Sequence, residues 1–157
     1  MAEIKILHKR NPNNKIRYDR KFYCGRGSAL GNEFNFRAAS SFETETAVSV
    51  EDACKKMKLR TAKYLSDKDG RFKRSEEFKK TFREILTLYK SGKNIALECY
   101  CLNYDDGLGI RSGHRCHTFD YKILIEKIAA EYPEKDFHDI LAEWVDDESY
   151  AEVFSKA

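Results

Sequence analysis

The chain has 157 residues, 41% of them apolar and 35% charged, with a net charge of +3 and five cysteines. That length and composition indicate one globular domain over residues 1–157 and exclude a disordered chain. No apolar run approaches the ~18 residues of a membrane span, so no membrane partner is expected.

The first residues, MAEIKILHKR, lack the long apolar core of a secretory signal. An odd number of cysteines beside that absence points to free or metal-bound thiols in a reducing cytoplasm. Net charge hides an asymmetry. Residues 1–93 hold 23 Lys/Arg against 12 Asp/Glu, and residues 94–157 hold 6 against 14. A basic N-terminal half could contact nucleic acid, or the two halves could neutralise each other.

Ile4 to His8 reads as a short strand, and Asn11-Pro12-Asn13-Asn14 as a turn. Tyr18 to Cys24 then returns as a second strand. The stretch GRGSALGNEFNF is a loop, followed by a Ser/Thr/Glu-rich segment to about Ser49. Ser49 with Asp52 resembles a capping box, and Val50, Ala53, Met57, Thr61 and Tyr64 recur at helical spacing over residues 50–66. Cys54 falls in that stripe and reads as core. After a charged linker, Ser75 is placed to cap a second helix with Phe78, Phe82, Ile85, Leu86 and Tyr89 on one face, ended by Gly92.

Asn94 to Cys101 begins almost wholly apolar, as an interior strand does. Thr118 is placed to cap a helix running to about Tyr132, which Pro133 stops. Asp136 starts a fourth, with Phe137, Ile140, Leu141, Trp144 and Val145 on one side. Tyr150, Val153 and Phe154 would dock the tail. This order gives an α/β fold: a small sheet of few strands flanked by about four helices, with a site at the C-terminal edge of the strands.

Two loops could carry chemistry. Gly25, Gly27 and Gly31 follow a strand, but a dinucleotide-binding turn needs GxGxxG and an immediate helix start. Neither is present, nor is a P-loop lysine. What remains is an anion-binding nest built from Arg26, Gly27, Gly31 and Asn32, or a structural turn. In the second loop, Cys99 and Cys101 can share a strand face, while Cys116 and His117 stand at a helix start. Cys99, Cys101 and Cys116 with His117, or alternatively His114, form a donor set that suits zinc. Cys116 could instead be a nucleophile activated by the helix end and a histidine, with His117 and Asp120 as its companions. Plain packing of small apolar thiols is the third reading. Cys24 could join either loop. The zinc deaminase signature is absent.

Together FYCGRGSALGNEF, LECYC and CHTF resemble the domain of unknown function 4326 family of bacteria and their phages. The elements that match are Tyr23, Gly25 and Arg26, then Gly31, Asn32 and Phe34, then Cys99, Cys101, Cys116 and His117. The likeness spans about residues 4–130 and leaves residues 135–157 as a helical extension. Glu33 stands where the family has proline, Thr118 where it has glycine, and Phe119 where it has aspartate, unless Asp120 compensates. The resemblance implies a bacterial or phage origin, hence a host cytoplasm if phage-encoded, and a pocket joining the two motifs. It implies no reaction. The expectation is a pocket that binds or acts on a small anionic, nucleotide-like ligand. The alternative is a non-enzymatic protein that sequesters a nucleotide or contacts a host protein or nucleic acid.

Overall fold

A computed structural model describes residues 2–8, 18–25, 28–31, 34–35, 45–46, 50–99 and 117–145. β1 (Ile4–His8) and β2 (Arg20–Tyr23) come first, then the two-residue strands β3 (Phe34–Asn35) and β4 (Glu45–Thr46). Next come α1 (Val50–Ser66), α2 (Ser75–Lys90), β5 (Ile95–Cys99), α3 (His117–Glu131) and α4 (Phe137–Val145). The main sheet has the order β1-β5-β2 with both pairings parallel, and β3 pairs with β4 in a separate parallel ladder. This is the small α/β architecture expected from the order of elements.

The second strand does not return beside the first. β5 lies between them, pairing Ile4 with Ile95 on one side and Arg20 with Ile95 on the other. The apolar run of β5 explains its central place. Ile95, Ala96 and Leu97 are fully buried, whereas β2 buries Phe22 and exposes Arg20, Lys21 and Tyr23, as an edge strand can. The stretch GRGSALGNEFNF, read as a loop, contributes β3, and the Ser/Thr/Glu-rich segment after it contributes β4; both are too short to leave a periodic signal.

The helices follow their stripes. Ala53, Met57, Thr61 and Tyr64 of α1 are buried, as are Phe78, Phe82 and Ile85 of α2. Cys54 is only half-buried, at the margin of its stripe. Ring contacts run from Tyr64 to Phe78 (5.2 Å), Phe78 to Tyr121 (6.0 Å) and Tyr121 to His117 (5.3 Å), joining three helices. One apolar core takes residues from β1, β2, β5 and all four helices. Among the described residues no helix is long and apolar enough to cross a membrane.

Helix ends correct two details. Arg74 occupies the N-cap position of α2 without a side-chain cap, and the Ser75 hydroxyl instead donates to Asp67. α3 begins at His117, so Thr118 lies inside its first turn, where it is fully buried. Asp136 does start α4: its carboxylate accepts from the His138 N–H. Ser49, the NPNN turn and the tail beyond Val145 lie outside the described residues.

Candidate functional site at the strand ends

Because β1, β5 and β2 run parallel, their C-terminal ends at His8, Cys99 and Tyr23 share one edge. The Cys24 N–H still donates to the Glu98 carbonyl (2.6 Å), carrying the ladder one residue past β2. The chain then folds into two linked turns. The N–H and hydroxyl of Ser28 donate to the Gly25 carbonyl, and the Gly31 N–H donates to Ser28 (3.0 Å).

Three side chains hold this loop from behind. His117, 8% exposed, sets Nε2 at 2.9 Å from the Cys24 carbonyl and 3.2 Å from that of Leu30. Both partners are acceptors only, so Nε2 is the protonated ring nitrogen. The Tyr121 hydroxyl donates to Leu30 as well (3.0 Å), and the Arg74 guanidinium donates to Ser28 (2.7 Å). The aromatic contact between Tyr121 and His117, with rings 86° apart, fixes the imidazole plane.

Arg74 is delivered by an ordered linker. The Asp67 carboxylate accepts from the backbone N–H groups of Arg71 (2.9 Å) and Phe72 (3.0 Å) and from the Ser75 hydroxyl (2.6 Å). Those bonds, the one from Ser75 foremost, lower its pKa to about 2. The Lys79 ammonium donates to the Asp67 carbonyl, closing the same knot.

The structure thus brings Gly31, His117 and the end of β5 to one edge, with Asp120 one helical turn beyond His117 on α3. Asp120 is buried, and its backbone carbonyl accepts from the Trp144 indole (2.9 Å). Cys24 is fully buried; its thiol lies 3.6 Å from the Phe22 carbonyl, and it anchors His117 through its backbone. Arg26, Gly27, Asn32, Cys101, His114 and Cys116 lie outside the described residues, as does the side chain of Cys99. Among the described residues there is no cluster of three His, Cys, Asp or Glu that could hold a metal ion.

Three contributors were not singled out from the sequence. Arg74 and Tyr121 lie far from the loop in the chain, and nothing local marks them. Glu98 did leave a signal, as the one charge in an apolar strand; it is 5% exposed, beside Tyr23 in the register.

The basic surface is smaller than its composition suggests. Lys79 is buried in the Asp67 knot, Lys58 lies over the Trp144 ring (5.2 Å) and Arg60 over Tyr64 (6.0 Å). Of Lys55, Lys56, Lys58, Arg60, Lys63, Lys79, Lys80 and Arg83, expected to form a basic surface on α1 and α2, only Lys55, Lys63, Lys80 and Arg83 are exposed, the last two in an open depression shared with Glu76 and Glu77. Comparisons with protein-family models, curated protein sequences and solved structures found no match.

Proposed function

We propose that the strand-end edge binds a small anionic, nucleotide-like ligand, with the glycine loop taking its charged group and Arg26 pairing with it. The observation that carries this reading is the convergence at one edge of three parallel strand ends, the loop and the start of α3. Parallel α/β sheets place their ligands at such an edge.

Zinc belongs to the same proposal, held by Cys99, Cys101, Cys116 and His117, with His114 as the alternative imidazole. His117 fits that role through Nδ1, because histidine ligands characteristically donate their other ring N–H to a carbonyl. Zinc in a site with four such donors supplies stability rather than an open coordination position. The engagement of Nε2 with two backbone carbonyls favours binding over turnover, since that nitrogen is committed to the fold. This supports the non-enzymatic alternative, in which the ligand is sequestered. Cys116 and Asp120 are the groups a catalytic version would use.

The convergence also supports kinship with the domain of unknown function 4326 family, whose two motifs are distant in sequence. A cytoplasmic location, the host's for a phage protein, goes with that kinship. Nucleic-acid binding through Lys55, Lys63, Lys80 and Arg83 would show as affinity that falls steeply with salt.

The deciding experiment titrates AMP, ADP and ATP against the full chain and its Arg26→Ala variant by calorimetry and thermal shift. Ligand at a hundredfold excess over Kd should stabilise the protein by about 2.7 kcal/mol, and Arg26→Ala should reduce that. No shift at millimolar nucleotide, or one indifferent to Arg26→Ala, defeats the reading.

A further inference from the structure

Positive charge is concentrated in one continuous stretch. Residues 54–74 carry nine Lys/Arg and two Asp, and neither Asp falls within α1. Asp67 is buried in the knot that orders the linker, so Asp69 alone opposes that charge at the surface. The next helix is built differently. On the outer face of α2, Lys80 and Arg83 are interleaved with Glu76, Glu77 and Glu84, which offset them locally.

The exposed cations form a strip with a direction. Lys55 and Lys63 stand about 12 Å apart along the axis of α1, roughly two turns. Lys68, Arg71 and Lys73 carry the exposed charge on through the linker. Residues 91–94 are all that separate α2 from β5, so α2 runs from the linker to the N-terminal end of the strands. The linker therefore lies at the opposite end, where Arg74 donates to the Ser28 carbonyl (2.7 Å). The strip leads to the strand-end edge.

Like charges crowded at helical spacing repel one another, and a polyanion relieves that repulsion. The same face argues against a lipid surface or a protein as the partner. The apolar stripe of α1, Ala53, Met57, Ala62 and Tyr64, is buried in the core and leaves nothing to insert into lipid. Among the described residues the large exposed apolar side chains are Tyr23, Ile123 and Tyr132, none of them on α1 or the linker. A protein interface draws on an apolar, lysine-poor centre, whereas phosphate contacts need only cations in a row.

We propose that this strip is a track for a polynucleotide, leading it by its phosphates to the strand-end site. The inference rests on the nucleotide-like reading of that site and deepens it: the nucleotide bound there belongs to a chain.

Fluorescence anisotropy with a fluorescein-labelled oligothymidylate and the full-length chain tests the track. Affinity should fall with salt on a log–log slope of about −3.5, the value for five contacts to a single strand. Lys63→Gln/Lys68→Gln/Arg71→Gln removes three contacts and should flatten the slope to about −1.4. The Asp67 knot uses only the backbone of Arg71, so this variant should keep its melting temperature. Lys80→Gln/Arg83→Gln should cost less affinity, because Glu76 and Glu77 already offset those charges. Saturating ADP should weaken oligonucleotide binding several-fold, since both need the same edge. The track falls and the ADP site stands if ADP binds through Arg26 but the oligonucleotide does not bind, or binds without regard to salt. An unaltered slope in the triple variant, an equal loss in the α2 pair, or indifference to ADP overturns the track as well. Oligonucleotide binding without ADP binding removes the shared edge and the inference with it. If neither binds, both readings fall together.

Discussion

Gly25 is glycine because of its neighbour rather than its own backbone. A Cβ there would meet the Tyr23 ring at 2.0 Å from the hydroxyl oxygen and 2.2 Å from Cζ. Tyr23 is already 39% exposed, so in Gly25→Ala the ring can swing into solvent instead of forcing the backbone apart. The expected result is a small loss of stability, about 1 kcal/mol, with clearly faster nitration of Tyr23 by tetranitromethane. Unchanged nitration would mean that the ring does not rest on Gly25. Asp67 offers a test of a different kind. Its folded pKa of about 2 lies below the ~3.9 of an unfolded aspartate, so its contribution is complete above about pH 4. That contribution is lost as pH falls toward 2. Urea unfolding between pH 5 and 2 should show a decline that Asp67→Asn, already weakened at pH 5, shows less steeply. Parallel curves would remove the Asp67 knot from the stability account.

At the scale of elements, helices were legible in the sequence because their determinants are local. The stripe from Val50 to Tyr64 defines α1, and Gly92 stops α2 with φ +88°. There the Gly92 N–H bonds to Tyr89 (3.1 Å) and the Lys93 N–H to Leu88 (3.0 Å), which closes the last turn in a Schellman motif. Nothing lies within 4 Å of a Cβ at Gly92, so Gly92→Ala isolates the backbone cost, about 1 kcal/mol by denaturant unfolding. A neutral substitution would show that the left-handed turn is not strained by a side chain. Caps formed by distant groups were not legible. Ser75 has the composition of a cap, but its hydroxyl is taken by Asp67, eight residues upstream. Counting charges over the basic N-terminal half misleads in the same way, since it includes Lys79, which closes that knot. The junction of α3 and α4 combines charges productively: Lys127 lies 2.8 Å from both Glu131 and Glu143, and Lys135 bonds to Glu143. These bonds raise both lysines and lower both glutamates from their ordinary pKa values, through the side-chain hydrogen bonds first.

For the whole molecule, sheet order is decided by pairings between distant segments, which local patterns do not encode. The strands β1, β2 and β5 could be found from their apolar residues. That β5 inserts between the other two could not, and its burial is the physical reason. The edge itself was foreseeable, because parallel strands must end together. The Cys/His set is the remaining test at this scale. The core draws on every helix and on β1, β2 and β5, so the fold does not depend on metal in the way a zinc finger does. Zinc on Cys99, Cys101, Cys116 and His117 would instead pin the end of β5 to the start of α3, two elements that already pack together. Protein purified without a histidine tag should therefore contain one zinc per chain. Chelator should lower its melting temperature while leaving it folded at 25 °C, and Cys101→Ser or Cys116→Ser should abolish that sensitivity. His117→Gln should behave differently, because it keeps a donor for the Cys24 and Leu30 carbonyls while removing Nδ1. It should lose zinc with less damage to the loop than His117→Ala. Metal-free protein with a melting temperature indifferent to chelator defeats the zinc site. The rate of Cys116 alkylation at neutral pH then separates the other two readings: a fast reaction marks a thiolate at the helix start, and an inert thiol marks packing.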